Sequence, residues 1–339
     1  MEDRYLQQKR FQMLGTEGQR KLQEANVTII GCGALGSAAA DILARAGIGT
    51  IILVDRDYVE FSNLHRQTLY TEQDAIDMIP KVEAAKRRLY QVNHHVTVEA
   101  IFDHVDAQMV EQFAERSDII VDGTDNFETR LIINDACLKY QIPWIYGACV
   151  GSTSVVKSFH GDSSACFRCL LPVLPAMNET CATSGVIAPA VYMTAAFQCA
   201  EVFKYLSGDI DHMHKELVWL DVWTNQHHKF GIEKIKRINC PSCGEKRTYP
   251  SLKRINQTKS TSFCGRSTVQ IIPATGRTLT LDDGKNVANS QNLPFKRTPY
   301  FVQIDYKGYR LMLFANGRLL FHGIQDVNEA NSLYHQLFG

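Results

Sequence analysis

Val27-Thr-Ile-Ile-Gly31-Cys-Gly-Ala-Leu-Gly36 and, a little later, Thr50-Ile-Ile-Leu-Val-Asp55 decide the architecture of this chain. Each opens with an almost unbroken apolar run, the composition of a strand buried on both faces of a parallel sheet. The first run enters three glycines and then a small-residue helix over 34–46, whose Leu35, Ala39, Ile42, Leu43 and Ala46 fall on one side. Gly31, Gly33 and Gly36 permit a tight turn and close approach to the backbone, and a helix start at Ala34 favours phosphate. Asp55, closing the second run, is placed to hydrogen-bond ribose hydroxyls. On these residues alone the plain reading is a nicotinamide- or flavin-dependent oxidoreductase.

Outward from this unit the alternation continues. Helices are expected over 82–90, 108–114 and 127–140, and strands over 96–101, 118–122 and 143–149. Strand–helix alternation of this length predicts a doubly wound, Rossmann-like α/β fold with ligands at the carboxyl ends of the strands. Ahead of it, 4–24 reads as one polar amphipathic helix. Behind it come a strand over 154–160, a long Pro-, Ser-, Thr- and Gly-rich loop over 172–189, a helix over 191–206 and strands near 217–222 and 227–231. Loops that long inside a compact domain are usually functional. The chain thus divides into a large domain, 1–249, and a small β-rich α+β extension, 250–339. In the extension, 301–321 reads as three antiparallel strands joined at Lys307-Gly308 and Asn316-Gly317, the latter the favoured type I′ pair. Asp326 and Glu329 have capping-box spacing at the start of a last amphipathic helix.

The 339 residues are 45% hydrophobic and 21% charged, the balance of an ordinary globular protein. Basic and acidic residues number 36 each, so nothing in the net charge supports bulk affinity for nucleic acid or membrane. The polar N-terminus carries no signal-peptide pattern, and no apolar run approaches the roughly 20 residues that cross a bilayer. A cytoplasmic chain is expected. In a reducing compartment its ten cysteines point to metal binding or thiol chemistry rather than to disulfides.

Cys166-Phe-Arg-Cys169 and Cys240-Pro-Ser-Cys243 supply four thiolates, the full tetrahedral set of a structural zinc site, with two redox pairs as the alternative. Cys32, Cys137, Cys149 and Cys199 sit in apolar stretches and read as core. Cys181, in Glu179-Thr-Cys-Ala-Thr-Ser-Gly185, is the one candidate nucleophile. Two cations, Arg66 in Asn63-Leu-His-Arg66 and Lys81 after Pro80, follow the ribose-side acid. A dehydrogenase never breaks its pyrophosphate and has no need of them. A nucleotidyl transfer does, because charge builds on the leaving pyrophosphate in the transition state. Asp125, in Gly123-Thr-Asp-Asn126 at a strand's carboxyl end, suits Mg²⁺ shared with phosphate oxygens. Taken singly, Arg66 and Lys81 read as surface charge, and Asp125-Asn126 as a helix N-cap.

Together the motifs resemble a known family. Gly-x-Gly-Ala-Leu-Gly, Asp55, Ser62-Asn-Leu-x-Arg-Gln67, Pro80-Lys81, Thr124-Asp-Asn126 and the two Cys-x-x-Cys pairs recur in this order in the ubiquitin-activating-like adenylyltransferases of the MoeB/ThiF type. These serve molybdopterin and thiamine biosynthesis. The resemblance covers 4–244. It implies that the C-terminal Gly-Gly carboxylate of a small ubiquitin-like sulfur-carrier protein attacks the α-phosphate of ATP, giving an acyl-adenylate and pyrophosphate. It further implies that Gly31, Gly33, the backbone at Ala34, Gly36, Asp55, Ser62, Asn63, Arg66, Lys81, Asp125 and Asn126 bind MgATP. Arg66 and Lys81 would be the electrostatic catalysts and Asp125 the magnesium ligand, while zinc at the four cysteines would be structural. Cys181 matches the residue through which thiamine-type relatives join the carrier by sulfur, a role that molybdopterin-type relatives do not require. A cysteine desulfurase or other sulfur donor and a second copy of the chain are the further partners implied.

Two departures stand out. The family's N-terminal Arg-Tyr-x-Arg-Gln reads here Arg4-Tyr-Leu-Gln7-Gln8, so Gln7 replaces the arginine that in relatives reaches the partner subunit's ATP. A nucleotide-binding scaffold that has lost catalysis is therefore a further alternative. Between Arg66 and Lys81 the chain is also longer than usual, with Asp77 where glycine is common. Cys264-Gly-Arg-Ser is similar to a rhodanese loop, but the tail is too short for that domain and its strands come in hairpins.

Overall fold

The computed structural model describes residues 3–161, 164–173, 184–253, 259–262, 268–273 and 279–338. It divides into two compact units, Met1–Arg254 and Ile255–Gly339. Cys181 and Cys264 lie outside the described residues. Among the described residues no helix is long and apolar enough to cross a membrane.

The first unit begins with α1 (Leu6–Arg10) and α2 (Gly15–Glu24), where the sequence pattern predicts one helix. Phe11 ends α1 with an extended backbone, ψ 111°, and Gly15 opens α2 at φ +64°, its N–H closing a turn onto the Phe11 carbonyl. Then follow β1 (Asn26–Ile30), α3 (Ala34–Ala46), β2 (Thr50–Val54), α4 (Glu72–Ile76), α5 (Lys81–Val92), β3 (Thr97–Ile101), α6 (Ala107–Arg116) and β4 (Ile119–Asp122). The unit continues with α7 (Phe127–Tyr140), β5 (Trp144–Val150), β6 (Thr153–Phe159), α8 (Phe167–Leu170), α9 (Ala188–Ser207), β7 (Leu217–Asp221) and β8 (Gln226–Phe230).

These strands form one sheet in the order β3-β2-β1-β4-β5-β6-β7-β8. The first five pair in parallel, with Ile29 of β1 opposite Leu53 on one side and Val121 on the other. From β5 onward the pairing is antiparallel, beginning with Trp144 opposite Phe159. The five parallel strands are doubly wound as expected, whereas β5–β6 and β7–β8 are hairpins, with α8 and α9 in the connection from β6 to β7. Alternation along β1 sends Ile29 to one face and Ile30 to the other. Ile29 packs in a core with Leu43, Leu53, Val121, Val191 and Val202, while Ile30 joins Val54, Ile120, Ile133, Trp144 and Phe167. Full burial of each such side chain stabilises the fold by about 1.5–3 kcal/mol.

The second unit is a sheet of β9 (Lys259–Ser262), β10 (Thr268–Ile272), β11 (Phe295–Arg297), β12 (Phe301–Tyr306), β13 (Tyr309–Phe314) and β14 (Leu319–His322), ordered β11-β12-β13-β14-β10-β9. It carries α10 (Leu281–Ser290) and α11 (Val327–Phe338), which share a core with Val269, Val302, Leu313 and Phe321. The three-strand reading of 301–321 agrees with β12, β13 and β14. Lys307 at φ +51° and Gly308 at φ +83° give both left-handed positions of a type I′ turn. The second turn differs from expectation. Gly317 is left-handed and Asn316 is not, so Asn316-Gly317 is no type I′ pair. The Asp326–Glu329 box is also not formed as spaced: Asp326 accepts from the Asn328 amide, but the Glu329 carboxylate accepts from the Tyr309 hydroxyl at 2.7 Å.

Candidate functional site

The turn from β1 into α3 is shaped by backbone contact. Gly31 is left-handed at φ +89°, and a Cβ there would stand 2.6 Å from the Gly123 carbonyl oxygen. A Cβ on Gly36 would meet the Gly31 oxygen at 1.8 Å, and one on Gly123 would meet it at 2.5 Å. These three glycines let the loop after β1 lie against the loop after β4. Gly33 differs. Around its virtual Cβ the nearest heavy atom is Gln67 Nε2 at 4.0 Å, so the N-cap of α3 borders open space. The first amides of a helix lack intrahelical partners and suit an anion in such a space.

Asp55, just past β2, accepts from the Cys32 amide at 2.6 Å and from the Asp57 amide at 2.7 Å. Burial is the main force raising its pKa, opposed by Lys81 and reinforced by Asp57. Lys81 opens α5 almost fully buried, with its ammonium 3.2 Å from Asp57 and its amide donating to the Asp57 carbonyl. Asp55, Asp57 and Lys81 therefore form one charged group at the strand ends.

The segment between β2 and α4 brings further polar groups together. Asn63 is 2% exposed, donates to Ser62 Oγ at 2.9 Å and accepts from Gln67 Nε2 at 3.1 Å. Arg66 folds back to donate to the Ser62 carbonyl at 3.0 Å. Gln67 is 4% exposed, and its Oε1 has no hydrogen-bond partner among the described residues, so this corner holds a buried acceptor open to a donor. Ser62 itself is exposed.

After β4, Asp125 stands exposed, while Asn126 caps α7 by accepting from the Thr129 amide at 2.8 Å. The N-cap alternative thus describes the Asn126 oxygen. Sequence reasoning missed what holds this loop. Asp122 is fully buried and accepts from the Thr124 amide and hydroxyl at 2.9 and 2.6 Å, and from Arg130 Nε at 2.8 Å. Arg130 also reaches the Thr124 and Gly147 carbonyls, and Gln198 of α9 donates to the Asp122 carbonyl. The available signal was a charged residue ending the wholly apolar Ile119-Ile-Val run.

The four cysteines converge elsewhere in the same unit. Cys166 and Cys240 sulfurs lie 3.8 Å apart, Cys169 and Cys243 sulfurs 3.7 Å apart, and all four lie within 4.8 Å of one another. A tetrahedron with Zn–S of ~2.3 Å has edges of ~3.8 Å, so the donor set fits zinc. The residues between the cysteines are employed too. Arg168 donates to Ser242 Oγ, to Ser251 Oγ and to the buried Asp135, and Ser242 also donates to Asp135. The Arg237 amide points at Cys169 Sγ, 3.5 Å away.

The ThiF family model matches residues 5–242. This chain belongs to the ThiF family. Sulfur carrier protein ThiS adenylyltransferase of Bacillus subtilis (strain 168) is 42% identical over 339 residues, 100% of each chain. Molybdopterin-synthase adenylyltransferase of Escherichia coli (strain K12) is 34% identical over 233 residues, 68% of this chain and 91% of that one. A crystal structure of E. coli MccB with ATP superposes with a TM-score of 0.59 at 26% identity, covering 67% of this chain and 69% of the other.

Both departures from the ThiF-family pattern have a structural counterpart. In α1, Gln7 is exposed, whereas Gln8 donates to Gln19 and to the Ala46 carbonyl at 2.6 and 3.0 Å. In the longer segment, Thr71 and Asp74 form a capping box on α4, and Asp77 stays right-handed. The left-handed residue is Met78, at φ +52°.

Proposed function

We propose that this protein is an ATP-dependent adenylyltransferase that activates the C-terminal glycine carboxylate of a ubiquitin-like sulfur-carrier protein of the ThiS type. The observation that carries the reading is the likeness to a ThiS adenylyltransferase along the entire chain, extension included. A molybdopterin-type carrier is less well supported, because that likeness spans 68% of the chain.

MgATP would lie at the carboxyl ends of β1, β2 and β4. Its phosphates would meet the amides at Gly33 and Ala34, where the loop borders open space. Asp55 engages one backbone amide on each oxygen, and a carboxylate has about four acceptor positions, leaving some for ribose hydroxyls. Ser62, Asn63 and Asn126 would complete the nucleotide contacts. Arg66 and Lys81 would stabilise charge as it moves onto the leaving pyrophosphate. Asp125 would hold magnesium, which would neutralise the phosphate oxygens. The carrier's carboxylate is the nucleophile, so no nucleophilic side chain is required for this step. An oxidoreductase reading breaks no pyrophosphate and so gives the charges of Arg66 and Lys81 no transition state to stabilise. Zinc at Cys166, Cys169, Cys240 and Cys243 would be structural, since four thiolates close its coordination sphere. We further propose a cytoplasmic homodimer and a later step in which sulfur at Cys181, delivered by a cysteine desulfurase or similar donor, attacks the carrier's acyl-adenylate, forming an acyl–sulfur bond as the acyl–phosphate bond breaks and AMP leaves.

The test is exchange of labelled pyrophosphate into ATP with a carrier ending in Gly-Gly. Arg66→Ala and Lys81→Ala should each cut exchange far more than ATP binding, since one lost transition-state donor costs about 3–4 kcal/mol. Wild-type exchange rates in both variants would overturn the assignment, and ATP binding without exchange for any carrier would favour the scaffold reading that Gln7 suggests.

A further inference from the structure

We propose that the Tyr70 hydroxyl is a positioning group for nucleotide phosphate, fixing the Cys32 carbonyl and through it the direction of the Gly33 amide at the start of α3. The inference rests on the MgATP reading above. Tyr70 is buried and lies just past the segment that carries Asn63, Arg66 and Gln67. Its hydroxyl donates to the Cys32 carbonyl at 2.5 Å and lies 3.1 Å from the Cys32 sulfur. On the other side of the same residue, the Cys32 amide donates to Asp55 at 2.6 Å. Cys32 is thus gripped at both of its backbone polar groups, by two side chains from different segments.

The consequence follows from peptide geometry. In a planar trans peptide the carbonyl of one residue and the N–H of the next point in opposite directions. Holding the Cys32 carbonyl toward Tyr70 turns the Gly33 N–H away from Tyr70, and beside Gly33 lies the open space described above. Glycines flank Cys32 on both sides, and a residue without Cβ imposes little torsional preference of its own. The Cys32–Gly33 peptide would otherwise be free to rotate, and ordering it would cost conformational entropy at each binding event. The tyrosine hydroxyl supplies that order in advance. The Cys32 thiol brings no competing negative charge, since burial pushes its pKa up to about 12.

Tyr70→Phe removes only the hydroxyl. ATP should bind about tenfold more weakly, the scale of one lost hydrogen bond. Adenosine, which has no phosphate, should bind as it does to wild type. Unchanged ATP affinity in the variant, or equal weakening of ATP and adenosine, would overturn the proposal, the second outcome meaning that Tyr70 merely supports the fold. A second measurement needs no variant: in ¹⁵N-glycine-labelled wild type, the Gly33 amide resonance should move with ATP and stay in place with adenosine. A Gly33 resonance indifferent to bound ATP also defeats it. Wild type that binds no ATP would instead remove the nucleotide reading itself, and this inference with it.

Discussion

Burial pulls the Lys157 ammonium down to about 8, with Glu201 the leading opposing charge. Lys157 is 2% exposed on β6, donates to the Ser158 carbonyl and lies over the Phe159 ring. A base whose folded pKa lies below its unfolded value of 10.5 binds fewer protons folded than unfolded between those values. Its contribution to stability therefore rises as pH climbs from about 8 to about 10.5, and is most unfavourable below that window. Lys157→Met should raise unfolding free energy near neutral pH, by an amount on the order of a few kcal/mol. It should also flatten the rise at higher pH. The comparison must be between the two proteins, because burial raises Tyr70 and Cys199 and they titrate with the opposite sign. Denaturant titrations at several pH values would test this; parallel curves for the two proteins would refute it. Cys181 belongs to the same scale. Because the carrier's own carboxylate attacks the phosphate, Cys181→Ala should leave pyrophosphate exchange intact and abolish a covalent enzyme–carrier species. Carrier thiocarboxylation at the wild-type rate in that variant would make Cys181 dispensable.

At the scale of elements, α7 joins the two sites of the first unit. Its N-terminus follows Asp125, and its Arg130 holds the loop after β4. One turn on, Asn134 accepts from the Phe167 amide, and Asp135 receives Arg168, Ser242 and the Ser251 amide. Those last bonds hold the cysteine knuckle without passing through any proposed nucleotide contact. Cys243→Ser should therefore lower zinc content and thermal midpoint while ATP binding at permissive temperature persists. Asp135→Asn should destabilise the knuckle, by less than the about 3–5 kcal/mol typical of breaking a fully buried pair, because Arg168 is 19% exposed. Metal analysis and thermal scans would measure both; full zinc and an unchanged midpoint in Cys243→Ser would contradict a structural metal. The helices 34–46 and 127–140 were legible to the residue, since the residues that bound them, Gly33 and Gly47 for the first and Asn126 for the second, are local signals. The glycine loop and Asp55 were legible for the same reason. Arg130 and Gln198 were not, because the groups they hold, Asp122 and its carbonyl, are neighbours only in the folded sheet. Nor could apolar runs reveal that β6, β7 and β8 turn antiparallel, since strand direction leaves little trace in a short buried run.

At the scale of the whole molecule, the second unit poses the remaining question. Each unit has its own apolar core, the smaller built on Val269, Ile304, Leu313, Phe321 and Leu333. Every residue proposed for MgATP and both cysteine pairs precede the boundary at Arg254. The E. coli molybdopterin-synthase adenylyltransferase matches 91% of its own length to 68% of this chain, so a related activity is carried by a shorter protein. A chain ending at Arg254 should then keep its zinc, unfold cooperatively and catalyse pyrophosphate exchange with a ThiS-type carrier within a factor of a few of the full chain. Loss of exchange in a truncated protein that still holds zinc and binds ATP would show instead that the extension takes part in engaging the carrier. The full-length likeness to a ThiS adenylyltransferase would then reflect carrier recognition, and a MoaD-type carrier should be a poor substrate for the intact chain.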